Sequence, residues 1–122
     1  MLNMWEIEYT KEYEYWFSSQ DEENKIVINA KVIILSEFGP HLGRPYVDTI
    51  RGSKYSNLKE LRIKYKQDII RILFCFNKNR NYWLIIGGNK KGKNQEDFYK
   101  RLIKMAEDII TKNPEILEEK DA

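Results

Sequence analysis

The chain has 122 residues, 42% of them hydrophobic and 13% aromatic, which is enough apolar surface for one core and one domain. With a single cysteine and a single histidine, a disulfide scaffold, a cysteine-based zinc site and any His pair or His–Asp relay lack their parts. The formal net charge is only +2, yet residues 59–104 carry 13 Lys/Arg against 4 Asp/Glu while the remainder carries 8 against 15, so one region is built to meet anions.

From Met4 to Tyr9 apolar and acidic residues alternate, the period of a half-buried strand. Thr10 is placed to cap a following helix on which Tyr9, Tyr13, Trp16 and Phe17 share one face, with core packing as their role. Ser19 and Glu22 stand at capping-box spacing, so a second helix is expected to start there and run towards Phe38. Its β-branched interior would also suit a strand; its length and the capping signal favour the helix. Gly39-Pro40 ends it, and His41 to Asn57, with Gly43, Pro45 and Gly52, reads as a loop with short extended pieces. His41 has a loop or capping role there.

Three strands then follow, Leu58 to Tyr65, Ile69 to Phe76 and Tyr82 to Gly87, joined by short polar connections as an antiparallel meander. Cys75 lies in an apolar run and reads as a packed thiol. After the loop from Gly88 to Lys93, Asn94 can cap a last helix with an apolar stripe of Phe98, Leu102, Met105, Ala106 and Ile109, ending near Asn113-Pro114. This gives a single domain over residues 1–113 and an acidic tail over 114–122, frayed or docked elsewhere. The uncharged apolar runs, such as Val32 to Leu35, are far short of the roughly 20 residues of a membrane span, and no secretory leader is expected to open the chain. A cytoplasmic protein with no membrane partner is expected.

Strand alternation sets Leu61, Ile63 and Tyr65 on one face of the first meander strand and Glu60, Arg62 and Lys64 on the other. In the next strand Arg71 stands opposite Ile70, Ile72, Phe74 and Phe76, and antiparallel pairing brings it near Arg62 or Lys64. Two neighbouring cations need an anion, which is either Glu60 in a structural salt bridge or a bound phosphate. Lys90, Lys91 and Lys93, just beyond the third strand at the mouth of the same sheet, favour the phosphate. The sequence GGNKKGK fits neither the dinucleotide fingerprint nor the P-loop. Tyr99, one turn into the last helix, can either reach this cluster or pack beside Ile103. Tyr65, Tyr82 and Trp83 read as core or edge residues, so no base-stacking residue is assigned.

The pieces LGRPYV (Leu42 to Val47), LKELR (Leu58 to Arg62), RILF (Arg71 to Phe74) and the glycine-lysine loop followed by FYKR (Phe98 to Arg101) resemble, in order and spacing, the phage-related HigB branch of the RelE/ParE toxin superfamily. The resemblance covers roughly residues 4–112. It implies an α+β, RelE-like fold: two N-terminal helices on a twisted antiparallel sheet, an N-terminal strand beside the meander, a C-terminal helix, and a site on the opposite, concave face. It further implies the toxin of a type II toxin-antitoxin system, a ribosome-dependent mRNA endoribonuclease working without metal or cofactor through the RNA 2′-hydroxyl. The partner would be a helix-turn-helix, HigA-like antitoxin in a toxin-antitoxin heterotetramer.

Carried over by position, the family's strand arginines fall on Arg62 and Arg71, the basic loop residue on Lys90 or Lys91, and the helix tyrosine on Tyr99. Lys59 and Lys64 match the family's strand lysines, and with Lys91 and Lys93 they are the expected RNA-binding residues. Glu60 stands where some relatives are basic, and serves as the backup base. Metal-free cleavage needs a proton acceptor, a proton donor and cations on the phosphorane. Arg62 and Arg71 suit the scissile phosphate, Lys90 and Lys91 the backbone or leaving-group side, and Tyr99 is base or acid with its pKa lowered by the surrounding cations. Arg71→Ala is expected to abolish growth inhibition in a folded protein. The rival readings are a ParE-like gyrase inhibitor and a non-catalytic phage-derived module that binds nucleic acid or protein.

Overall fold

The structure, a computed structural model, describes residues 4–77 and 81–117. Its elements are β1 (Glu6–Tyr9), α1 (Lys11–Ser18), α2 (Glu22–Phe38), a 3-10 turn (Gly39–His41), β2 (Val47–Thr49), β3 (Lys59–Tyr65), β4 (Asp68–Phe76), β5 (Asn81–Asn89), α3 (Gln95–Lys112) and a last 3-10 turn (Pro114–Ile116). The five strands form one sheet in the order β1-β5-β4-β3-β2. The expected α+β class and the β3–β4–β5 meander are both present. The sheet is mixed rather than wholly antiparallel, because β1 runs parallel to β5 with Glu6 opposite Asn81 and Tyr9 opposite Leu84. Such a pairing requires a long crossover, and α1, α2, β2 and the first two meander strands all lie between β1 and β5 in the chain.

The local chemistry explains most boundaries. The Thr10 hydroxyl accepts from the Tyr13 amide at 2.9 Å and donates to the Ile85 carbonyl at 2.6 Å, so one residue caps α1 and pins it to the sheet. The second helix is capped by Asp21, whose Oδ1 accepts from the Asn24 amide at 2.8 Å, and not by Ser19. The Ser19 hydroxyl instead donates back to the Trp16 carbonyl at 2.6 Å and closes α1. Tyr9, expected on the α1 face, ends β1 and is exposed.

Two apolar layers sandwich the sheet. On one face Tyr13, Ile28, Val32 and Leu35 of α1 and α2 pack on Leu61, Ile63, Ile70, Ile72, Phe74 and Leu84. On the other, Phe98, Leu102, Ala106, Ile109 and Ile110 of α3 pack on Leu58, Leu73, Cys75, Ile85 and Ile86. A bulge at Ile85, between the pairs Leu73–Ile86 and Phe74–Leu84, gives the α3 layer two consecutive isoleucines from one strand. Close helix approach relies on glycine: a Cβ on Gly87 would lie 2.4 Å from the Trp16 ring, and one on Gly39, whose φ is +55°, 2.3 Å from Trp5.

The face opposite α1 and α2, where the site was expected, is largely covered by α3, because the stripe from Phe98 to Ile110 needs burial as much as the sheet does. Packing also continues past residue 113: Ile116 is fully buried against the α3 layer, so the start of the acidic tail belongs to the domain, while residues 118–122 lie outside the described residues. Among the described residues no helix is long and apolar enough to cross a membrane.

Candidate active site

The hairpin β3–β4 turns over Lys66-Gln67, with Tyr65 opposite Asp68 and Lys66 at φ 54°, one residue tighter than the connection expected. That register puts Arg62 directly opposite Arg71, on the face shared with Glu60. The anion that meets Arg71 is Glu60. Its Oε1 lies 3.2 Å from Arg71 Nε and accepts a 2.6 Å hydrogen bond from the Tyr99 hydroxyl, which in turn accepts from Arg71 Nε at 3.0 Å. Arg71 Nη1 donates to the Ile70 carbonyl at 3.1 Å. Tyr99 is delivered by the first turn of α3, whose cap Asn94 accepts from the Asp97 amide at 3.1 Å. Of the two places open to Tyr99, its hydroxyl therefore occupies the charged one, although its ring still borders the α3 apolar layer.

Burial gives this triangle its character. Arg71 and Glu60 are only 6% and 7% exposed, so each charge depends on the other for neutralisation. The Tyr99 phenol is held above its ordinary value, first by burial and then by its bond to the Glu60 carboxylate, against an opposing pull from Arg71. This reverses the expected direction: a carboxylate at 2.6 Å outweighs the cation, and Tyr99 is a neutral phenol aimed at Glu60.

The neighbouring cations are less committed. The side chain of Arg62 forms no hydrogen bond or ion pair among the described residues, and its backbone amide donates to the Tyr46 carbonyl at 2.8 Å. Lys90 Nζ stands 5.6 Å from the centre of the Tyr99 ring and donates to Gln95 Oε1 at 3.3 Å. Its ammonium is held below the usual lysine value by burial, then by Arg71 and Arg62, with Glu60 opposing. Lys64 shares the Arg62 face by alternation and is exposed. Lys59 alternates to the opposite face, and its Nζ donates to Thr49 Oγ1 at 3.2 Å, away from the triangle. Lys91 is exposed in the loop, and Lys93 Nζ lies 5.9 Å from the centre of the Phe98 ring.

One supporting set escaped sequence reasoning. Asn89 Oδ1 accepts from the amides of Ile69 and Lys91 at 3.1 Å each, while its Nδ2 donates to Asp68 Oδ1 at 2.9 Å. Asn24 of α2 donates to the other Asp68 oxygen at 2.9 Å, and these two amides hold the Asp68 carboxyl below its ordinary value. This network ties the lysine loop to the β3–β4 hairpin. Nothing in the sequence marks Asp68 as more than a turn residue. Among the described residues no group of three or more His, Cys, Asp or Glu is arranged to hold a metal.

Fold and site together define a small α+β domain with a buried Glu–Tyr–Arg triangle beneath unpaired cations. The chain belongs to the Phage derived protein Gp49-like family, whose model matches residues 15–111, in keeping with the HigB-like branch that its motifs resemble. It is 36% identical over 99 residues to a Mycobacterium tuberculosis protein named "Putative toxin HigB2", a match spanning 80% of this chain and 49% of that protein. It is also 36% identical over 94 residues to "Putative toxin HigB3" of the same organism, covering 77% of this chain and 80% of the relative. The chain thus spans about half the length of the first relative and most of the second. The solution structure of the conserved hypothetical protein HP0894 from Helicobacter pylori aligns with a TM-score of 0.44 and 17% identity, over 70% of this chain and 94% of that one.

Proposed function

We propose that the protein is the toxin of a type II toxin-antitoxin system and cleaves messenger RNA on the ribosome, with the RNA 2′-hydroxyl as nucleophile and no metal. The observation that carries this reading is the Glu60–Tyr99–Arg71 triangle set beside the uncommitted Arg62 and Lys90. The names of the two mycobacterial relatives support the toxin assignment.

Transesterification requires a proton to leave the 2′-hydroxyl and another to reach the departing 5′-oxygen. The Tyr99 hydroxyl, already donating to Glu60, would accept the 2′-proton while passing its own across 2.6 Å to the carboxylate. Lys90, whose lowered pKa makes its ammonium a readier acid, would protonate the 5′-oxygen. Arg62 would hold the phosphorane oxygens, with Lys64, Lys91 and Lys93 along the RNA backbone. Arg71, buried and engaged, acts in this scheme as a positioning residue that fixes Tyr99 and Glu60. A helix-turn-helix antitoxin in a heterotetramer and a cytoplasmic site of action complete the proposal.

The test uses ribosomes, a reporter message and the purified protein. Cut message ending in a 2′,3′-cyclic phosphate is expected, with Tyr99→Phe and Glu60→Gln each lowering the rate on the order of 100-fold or more. An intact message alongside blocked gyrase supercoiling would replace this reading with the gyrase one.

A further inference from the structure

A second feature adjoins Arg62 at the β3 edge of the sheet. Lys31, Ile34 and Phe38 of α2, Leu42 and Tyr46 of the following loop, and Leu61 with Arg62 of β3 line a cleft. Two of its aromatic rings are exposed without a covering element, Phe38 at 53% and Tyr46 at 48%. Among the described residues no acidic side chain lines it. One wall carries Lys31, whose Nζ stands 5.6 Å from the centre of the Tyr46 ring, and the other carries Arg62.

Tyr46 is held where it is by the backbone. Its carbonyl takes the Arg62 amide at 2.8 Å, and its own amide donates to the Gly43 carbonyl at 3.0 Å. The Tyr46 backbone is thus fixed to Arg62, whose guanidinium makes no hydrogen bond or ion pair of its own among the described residues although Asp48 feels its charge, and the ring is presented to solvent on a short, hydrogen-bonded turn. Two exposed rings in a cleft whose lining includes two cations suit a ligand that is flat and apolar on its faces and anionic at its end.

We propose that this cleft is a nucleotide subsite, in which a base of single-stranded RNA stacks on Tyr46 and its phosphate meets Arg62. The inference rests on the ribonuclease reading above and deepens it, since Arg62 belongs to both sites. The base beside the cut would be held by stacking against Tyr46 and Phe38, and Lys31 would add its charge to the backbone side. Stacking tolerates every base, so the subsite grips the strand more than it reads sequence.

The experiment measures binding of a fluorescein-labelled single-stranded 12-mer RNA by anisotropy, with wild-type protein, Tyr46→Ala, Tyr46→Phe and Lys31→Ala, each checked for an unchanged melting curve. Tyr46→Ala is expected to weaken binding about tenfold, Tyr46→Phe to leave it within about twofold, and Lys31→Ala to weaken it severalfold with a shallower salt dependence. A 12-mer carrying abasic positions should bind wild type and Tyr46→Ala alike. Equal binding of intact RNA by wild type and Tyr46→Ala overturns the subsite, as does no measurable binding by wild type. Tyr46-dependent binding in a protein that leaves ribosome-bound message uncut would keep the subsite and overturn the cleavage reading instead.

Discussion

Glu60 and Arg71 each give up hydration in the fold, so removing either strands the other as a buried, unpaired charge. Arg71→Ala is therefore expected to cost about 3–5 kcal/mol of stability, whereas Arg62→Ala, which breaks no ion pair, should fall within about 0.5 kcal/mol of wild type. Urea denaturation of the two variants checks this. The substitution that separates activity from folding is Arg62→Ala, not Arg71→Ala as the sequence alone suggested. Much of the site is legible in the residues: an arginine among apolar neighbours demanded a partner, and alternation put Glu60 and Arg62 on its face. The direction of the Tyr99 shift is not, because it depends first on how deeply the phenol is buried and then on its hydrogen bond to Glu60, neither of which the sequence shows. Lys59 carries a different lesson. Alternation already set it with Leu61, and only the family resemblance drew it towards the RNA.

At the scale of elements, the two consecutive helices show where short-range signals compete. Ser19, expected to cap the second helix, instead finishes the last turn of the first, and Asp21 caps the second. Asp21→Ala should destabilise the protein by about 1 kcal/mol and Ser19→Ala by less, as read from denaturation midpoints. The Gly87 contact with Trp16 predicts that Gly87→Ala lowers stability by about 1–3 kcal/mol through overpacking, since the ring has to move for the added methyl. The paired strands β4 and β5 also set an alkaline limit. Burial pushes the Cys75 thiol from 9.0 up to about 12, and the Tyr82 phenol from 10.0 to about 12. For both, the raised folded-state pKa means that their contribution is whole below the unfolded value and is lost as pH rises towards 12. Far-UV circular dichroism across pH 9–12 should show progressive unfolding, and Cys75 should stay inert to a thiol reagent at pH 8 until denaturant is added.

Over the whole molecule, the uneven charge noted in the sequence becomes a basic end formed by the β3–β4 hairpin and the lysine loop. If Arg62, Lys64 and Lys90 each meet one phosphate, the logarithm of RNA affinity should fall with the logarithm of salt at a slope of about −2, and Arg62→Ala should flatten it by about 0.7. Titrations between low and moderate salt measure both. The architecture was readable as element types in order, because each helix and strand carries its own period. The parallel docking of β1 and the placement of α3 over the second sheet face were not, since the first pairs residues 75 positions apart, as Glu6 with Asn81, and the second is a packing between elements that no local period reports. That arrangement has a consequence for biosynthesis. β1 waits for β5 before it has a neighbour in the sheet, and the phenol that completes the triangle lies on α3, which is made later still. While the chain is still leaving the ribosome the site is incomplete, and it comes together only when nearly all of the domain is free to fold.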